Sequence, residues 1–181
     1  MSEKPSYLGL LNAVALGEAR AAKYLQCWIE VTPNDQVRSQ LRTIALREAE
    51  HAAIFEKRLD ELGFGLVEMA DPDQDRAMEI AASTTMSDRE KLKALKLHRR
   101  PTNGTPDVFD NFFANKDLDP VTAGLLGRYV AEERDSGRRF SDCYEMLADT
   151  EEAPAAKSAK SAKSAKSATK SKKKAGAKKA S

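Results

Sequence analysis

Cysteine is scarce in this chain of 181 residues: only Cys27 and Cys143, far apart and in apolar contexts. The N-terminal stretch MSEKPSYLGLL has neither the basic start nor the continuous apolar run of an export signal. The two cysteines therefore read as reduced core thiols of a cytoplasmic protein, with a bridge or reactive thiols as the alternatives. Long hydrophobic runs are missing as well. None approaches the roughly 18–20 residues that span a bilayer, so no membrane partner is expected. No stretch alternates as a strand would.

Acidic residues are absent from the last part of the chain. Residues 154–181 hold ten lysines, no acid, no aromatic ring, and no apolar side chain larger than alanine apart from Pro154. Residues 1–153 hold the other 20 basic residues and all 28 acids, so a body of net charge −8 carries a tail of +10, a split that the overall +2 conceals. The body is long enough to bury one core. The tail has nothing to set against the entropy of ordering, and its regularly spaced lysines repel along any helix. Two segments follow: a helical domain over 6–150 and a disordered Lys/Ala/Ser-rich tail over 151–181.

What the body does have is helical patterning. A first helix is expected from about Ser6 to Val31, ended by Thr32-Pro33. A second is expected from Asn34 or Asp35 to Leu62, ended by Gly63 and Gly65. The short link makes them an antiparallel hairpin. "DPDQDRAMEIAAS" predicts a short helix, and "SDRE" at 87–90 is a capping box opening a helix to about His98. "RRPTNGTPD" is a turn-rich loop. "VFDNFF" predicts one or two helical turns, and a last helix runs from Asp119-Pro120 to about Ala148. The fold class is all-α.

The second helix carries a core stripe at steps of three or four: Val37, Leu41, Ile44, Glu48, His51, Phe55, Leu59 and Leu62. A carboxylate and an imidazole sit in its middle. The first helix sets Glu18 within Leu11, Val14, Ala22, Leu25 and Ile29. The last sets Glu133 within Leu126, Tyr129, Ser136, Phe140, Cys143 and Leu147. Inward ionised carboxylates each cost several kcal/mol unless paired, protonated or metal-bound. Carboxylates with one imidazole suit iron, manganese or zinc. A Glu-x-x-His spacing is close to one helical turn, so both donors reach one ion or an adjacent pair.

A helix with a central glutamate, a short loop and a helix bearing "EAEH" resembles the first half of a ferritin-like, rubrerythrin-type four-helix bundle. The resemblance covers about residues 6–150. Such families hold paired iron or manganese with a glutamate from each of two helices and a Glu-x-x-His from each of the other two. The resemblance implies metal ligation by Glu18, Glu48 and His51, iron first and manganese as the alternative, and work in iron or oxidant handling. The second half departs from the pattern. Aligning "EAEHAAIF" with "ERDSGRRF" sets Glu133 opposite Glu48 but Ser136 opposite His51. Glu79, Asp88 and Glu90 all compete for the third-helix ligand. A full metal pair, a single metal, an empty scaffold and a subunit-interface site in a homo-oligomer all remain open. No rubredoxin-like cysteine pair is present.

Other residues read more plainly. Glu133 has the alternative of turning toward Arg134 or Arg138. Glu132 and Asp135 are expected on a solvated face, Tyr24 and Trp28 in packing, and His98 at a helix C-terminus. The tail resembles those of bacterial histone-like proteins and of some DNA-binding ferritin-like proteins. Lys157, Lys160, Lys163, Lys166, Lys170, Lys172, Lys173, Lys174, Lys178 and Lys179 can neutralise DNA or RNA phosphates without reading bases, and a nucleoid-associated location follows. The alternatives are a solvated tail, a tail folded back on the acidic body, and a non-catalytic helical scaffold with a vestigial metal site.

Overall fold

The computed structural model describes residues 4–99, 109–113 and 117–171, beyond residue 148 as helical backbone only. Among the described residues there is no strand, and the chain is all-α. The helices are α1 (Leu8–Val31), α2 (Asp35–Glu61), α3 (Gln74–Ala82), α4 (Asp88–Ala94) and α5 (Pro120–Ser171), with a 3₁₀ turn at Asp110–Phe113. No described helix is long and apolar enough to cross a membrane. The chain divides into two units, Met1–Tyr144 and Glu145–Ser181. The core lies in the first.

Local chemistry sets most boundaries. Thr32 takes extended backbone before Pro33, ending α1. The Asn34 side chain accepts from the N–H groups of Gln36 and Val37 and so opens α2, a cap that stabilises by about 1 kcal/mol. Gly63, at φ 82°, closes α2. Its N–H donates to Asp60 O while that of Phe64 donates to Leu59 O, satisfying carbonyls the helix leaves free. The capping box forms as its sequence predicts, with Ser87 and Glu90 bonding reciprocally.

The helix after it stops at Ala94 rather than near His98. Lys96 N–H donates to Lys93 O and Leu97 N–H to Leu92 O, the same closure as at Gly63, but the left-handed residue here is Lys96 at φ 60°. Without a glycine this stop leaves no mark in the sequence. His98 is therefore not a helix-terminal residue; its ring lies 5.1 Å from that of Tyr144. Residues 100–108, which include most of the turn-rich loop and Val108, fall outside the described residues.

Asp119 opens α5 by accepting from Val121 and Thr122 N–H. Helical backbone continues past the expected end at Ala148 to Ser171, across a segment expected to be disordered. Alanine and lysine are strong helix formers, and this propensity runs against Pro154 and the repulsion between the spaced lysines. Lys157, Lys160, Lys163, Lys166 and Lys170 fall on this backbone, with side chains outside those described. Lys172, Lys173, Lys174, Lys178 and Lys179 lie outside the described residues altogether.

Cross-links give the topology of the first unit. Tyr7 donates to Asp119 and Tyr129 to Glu18, so α5 starts out parallel to α1. Arg128–Glu50, Arg47–Asp135 and Arg139–Gln40 run it antiparallel to α2. Tyr7, Leu11, Phe55, Leu59, Leu126, Tyr129 and Val130 interlock in one core, each large apolar side chain contributing about 1.5–3 kcal/mol on burial. The connection after α2 is pinned to α1 by a two-way bond: Asn12 Nδ2 donates to Val67 O and Val67 N–H donates to Asn12 Oδ1. Both cysteines are free, Cys143 buried and Cys27 half-buried.

Candidate metal centre

The stripes place their polar members together. Val37, Leu41, Ile44, Glu48, His51, Phe55 and Leu59 are all buried along α2, with His51 2% exposed and Glu48 5%. Apolar flanks on both sides force the α2 face inward, and the two polar side chains go with it. Glu18 on α1 is 7% exposed for the same reason. Glu133 arrives on α5 one turn after Tyr129 and faces inward rather than pairing with Arg134 or Arg138. Glu18, Glu48, His51 and Glu133 each offer a ligand-type atom, and these atoms lie within 4.8 Å of one another.

Several of these atoms have no hydrogen-bond partner. Glu18 Oε2, His51 Nδ1 and Glu133 Oε1 are buried and unsatisfied. His51 Nδ1 is 3.6 Å from both Glu18 Oε2 and Glu133 Oε1, too far for a hydrogen bond. On its other side, His51 Nε2 is 2.6 Å from Glu132 Oε2. An ionised carboxylate only accepts, so Nε2 is the donor of that short bond and Nδ1 is the nitrogen that faces Glu18 and Glu133. Nδ1 and the two carboxylate oxygens thus face one another in a buried space, an arrangement that needs a proton or a cation between them. Three carboxylates and one imidazole are a donor set that could hold a metal ion.

Without a cation, protons fill the gap. Burial pushes the Glu48 carboxyl well above its usual range, and the negative neighbours Glu18 and Glu133 push it further. Burial and the Glu18 charge raise Glu133 to about 7. Glu18 goes the other way. Burial opposes its charge, but His51, Glu48 and a 2.9 Å bond from the Tyr129 hydroxyl outweigh it. Burial also disfavours the His51 imidazolium, yet Glu18 and Glu132 prevail and raise its pKa.

The surroundings differ from the sequence reading in several places. Glu132 does not sit on a solvated face. It is half-buried and divides its oxygens between His51 and Arg128, the latter at 3.0 Å. Asp135 is tied to Arg47, Arg138 and Arg139. Tyr129 was legible only as a core residue; its place one turn before Glu133 is what lets its hydroxyl reach Glu18. Its ring meets His51 edge-on at 5.0 Å. Tyr24 packs close enough for the carboxylates to raise its pKa further, after burial itself.

None of the three candidates from the connecting helices joins the centre. Glu79 is exposed. Glu90 is spent on the capping box. Asp88 is buried but accepts from Trp28 Nε1 at 2.7 Å and Thr32 Oγ1 at 2.6 Å. Trp28, read as packing, is thus a hydrogen-bond donor too. Ser136 is 2% exposed, and its hydroxyl oxygen has no partner.

No family model, curated protein or solved structure matches the chain.

Proposed function

We propose that this chain binds a transition-metal ion through Glu18, Glu48, His51 and Glu133, iron first and manganese as the alternative. The observation that supports it is the convergence of three buried, unpartnered polar atoms on Glu18, His51 and Glu133 within a four-residue donor set. In this reading the first unit is a ferritin-like four-helix bundle with a degenerate second half, and its task is iron or oxidant handling in the cytoplasm. Bound iron would supply electron exchange with oxygen or peroxide. The chain's own part is to hold the donors. Tyr129 fixes one oxygen of Glu18, Glu132 orients His51, and the apolar flanks of each stripe exclude water.

The tail would tether the protein to DNA or RNA. Its lysines offer only charge, with no ring to stack on a base, so binding would be sequence-independent. Engagement of all ten lysines would give a log–log salt slope of about −7 to −9. The second reading is a nucleic-acid-binding scaffold with a relic centre.

Two measurements separate these readings. Glu48→Ala with His51→Ala should abolish metal content, by elemental mass spectrometry, while the helical circular dichroism persists. Equal metal in the variant would sink the assignment. Removal of residues 154–181 should abolish salt-sensitive retention on DNA and RNA. Equal retention would move the contact elsewhere.

A further inference from the structure

We infer that the centre is built for one metal ion per chain and not for a pair. This rests on the metal-binding reading above and narrows it. The first ground is the span of the donors. Bonds of about 2.0–2.2 Å put opposite donors of one ion about 4.0–4.4 Å apart. The four donor atoms lie within 4.8 Å of one another, slightly wider than one coordination shell and closable onto one ion by small side-chain shifts. Paired ions stand about 3.5–4 Å apart, so their outer donors must spread well beyond that. They also draw on six side chains in the helical-bundle arrangement.

The second ground is that, among the described residues, the further acids named as possible ligands are engaged elsewhere or face solvent. Glu18 Oε1 is committed to the Tyr129 hydroxyl at 2.9 Å, which leaves Oε2 as its open donor. Asp88 has both oxygens committed to Trp28 and Thr32. Glu90 is committed to the capping box, and Glu79 points to solvent. One turn after Glu133 stands Ser136, whose neutral hydroxyl replaces an imidazole. Glu132 turns to the far side of His51, at Nε2, and faces away from the shared space. Among the described residues, Asp88, Glu90 and Glu132 are thus held by other partners and Glu79 faces solvent.

The consequence is chemical. A lone ion in this shell changes charge by one electron at a time. The centre then fits metal binding, transfer or one-electron exchange, and lacks the second ion that paired two-electron chemistry uses.

Metal stoichiometry decides it. Full-length protein stripped of metal is loaded anaerobically with excess iron(II), and separately with manganese(II), then desalted. Elemental mass spectrometry should find one ion per chain above the Glu48→Ala/His51→Ala background. The manganese form should give the paramagnetic resonance spectrum of an isolated ion. Glu133→Gln should weaken binding at least tenfold without leaving a second, tighter population. Two ions per chain, or a spin-coupled spectrum, would overturn the inference while leaving the metal function standing. No ion above background would remove the metal function itself, and the inference with it.

Discussion

Glu132 supplies the sharpest test of how this centre is organised. It touches no proposed ligand atom facing the shared space, yet its 2.6 Å bond to Nε2 sets which nitrogen of His51 is free. A carboxylate at that distance strengthens the bond and raises imidazole basicity. Loss of such a partner typically costs about 10–100-fold in metal affinity, or about 1.4–2.7 kcal/mol. Glu132→Gln keeps a carbonyl that can accept from Nε2–H, so its loss should fall near the lower end. Glu132→Ala removes the acceptor and should reach the upper end. The bond to Arg128 also goes, but Arg128 is half-exposed and retains Glu50 at 2.8 Å, so that loss adds little to either variant. Competition against a chelator reads the affinity. An NMR titration of the His51 ring in metal-free protein reads the second effect, because Glu132 is one of the groups raising its pKa. Both variants should titrate at lower pH than wild type. Affinity within twofold of wild type, with an unmoved His51 titration, would refute the claim that Glu132 orients the imidazole.

Other outcomes follow from the same structure. Asp88→Ala should destabilise the fold by about 2–4 kcal/mol in urea, since it orphans the buried Trp28 N–H and Thr32 hydroxyl; a loss under 1 kcal/mol would mean that water or a repacked side chain replaces it. Lys96→Gly should stabilise by about 1 kcal/mol, because a lysine at φ 60° pays a left-handed penalty that glycine avoids; a lower melting temperature would count against the α4 closure. Metal-free protein should be more stable at pH 5 than at pH 7.5. Glu133 is raised from its ordinary 4.5 to about 7, and Glu48 is raised as well, so the folded state holds protons that the unfolded chain has already released. Stability therefore falls as pH climbs from about 4.5 through 7, by about 1–3 kcal/mol. The raised His51 pKa adds to the loss, while the lowered Glu18 pKa works mainly below that window. Denaturant midpoints flat across this range would contradict the buried, protonated carboxylates.

Much of this arrangement can be read from spacing. The period of three and four along α2 marks every one of its buried positions, and the two polar interruptions, Glu48 and His51, are where the donors meet. Asn34, the Ser87–Glu90 box and Asp119-Pro120 open their helices as their chemistry dictates, because capping depends only on side chains a few residues away. The end of α4 was not legible, since Lys96 adopts a glycine's backbone and no local signal announces it. The helical run past Ala148 was not legible either, because local propensity and charge repulsion pull in opposite directions there.

Helical period and local capping determined the all-α class, the long α1–α2 hairpin and the inward direction of Glu18, Glu48, His51 and Glu133. These depend on neighbours within one or two turns. Only the tertiary structure decided which acids were free to serve. Asp88 went to Trp28 and Thr32, 60 and 56 residues away, and Glu132 went to His51 across 81 residues. Spacing along a helix shows which way a side chain points, but its partner is chosen by the element packed opposite.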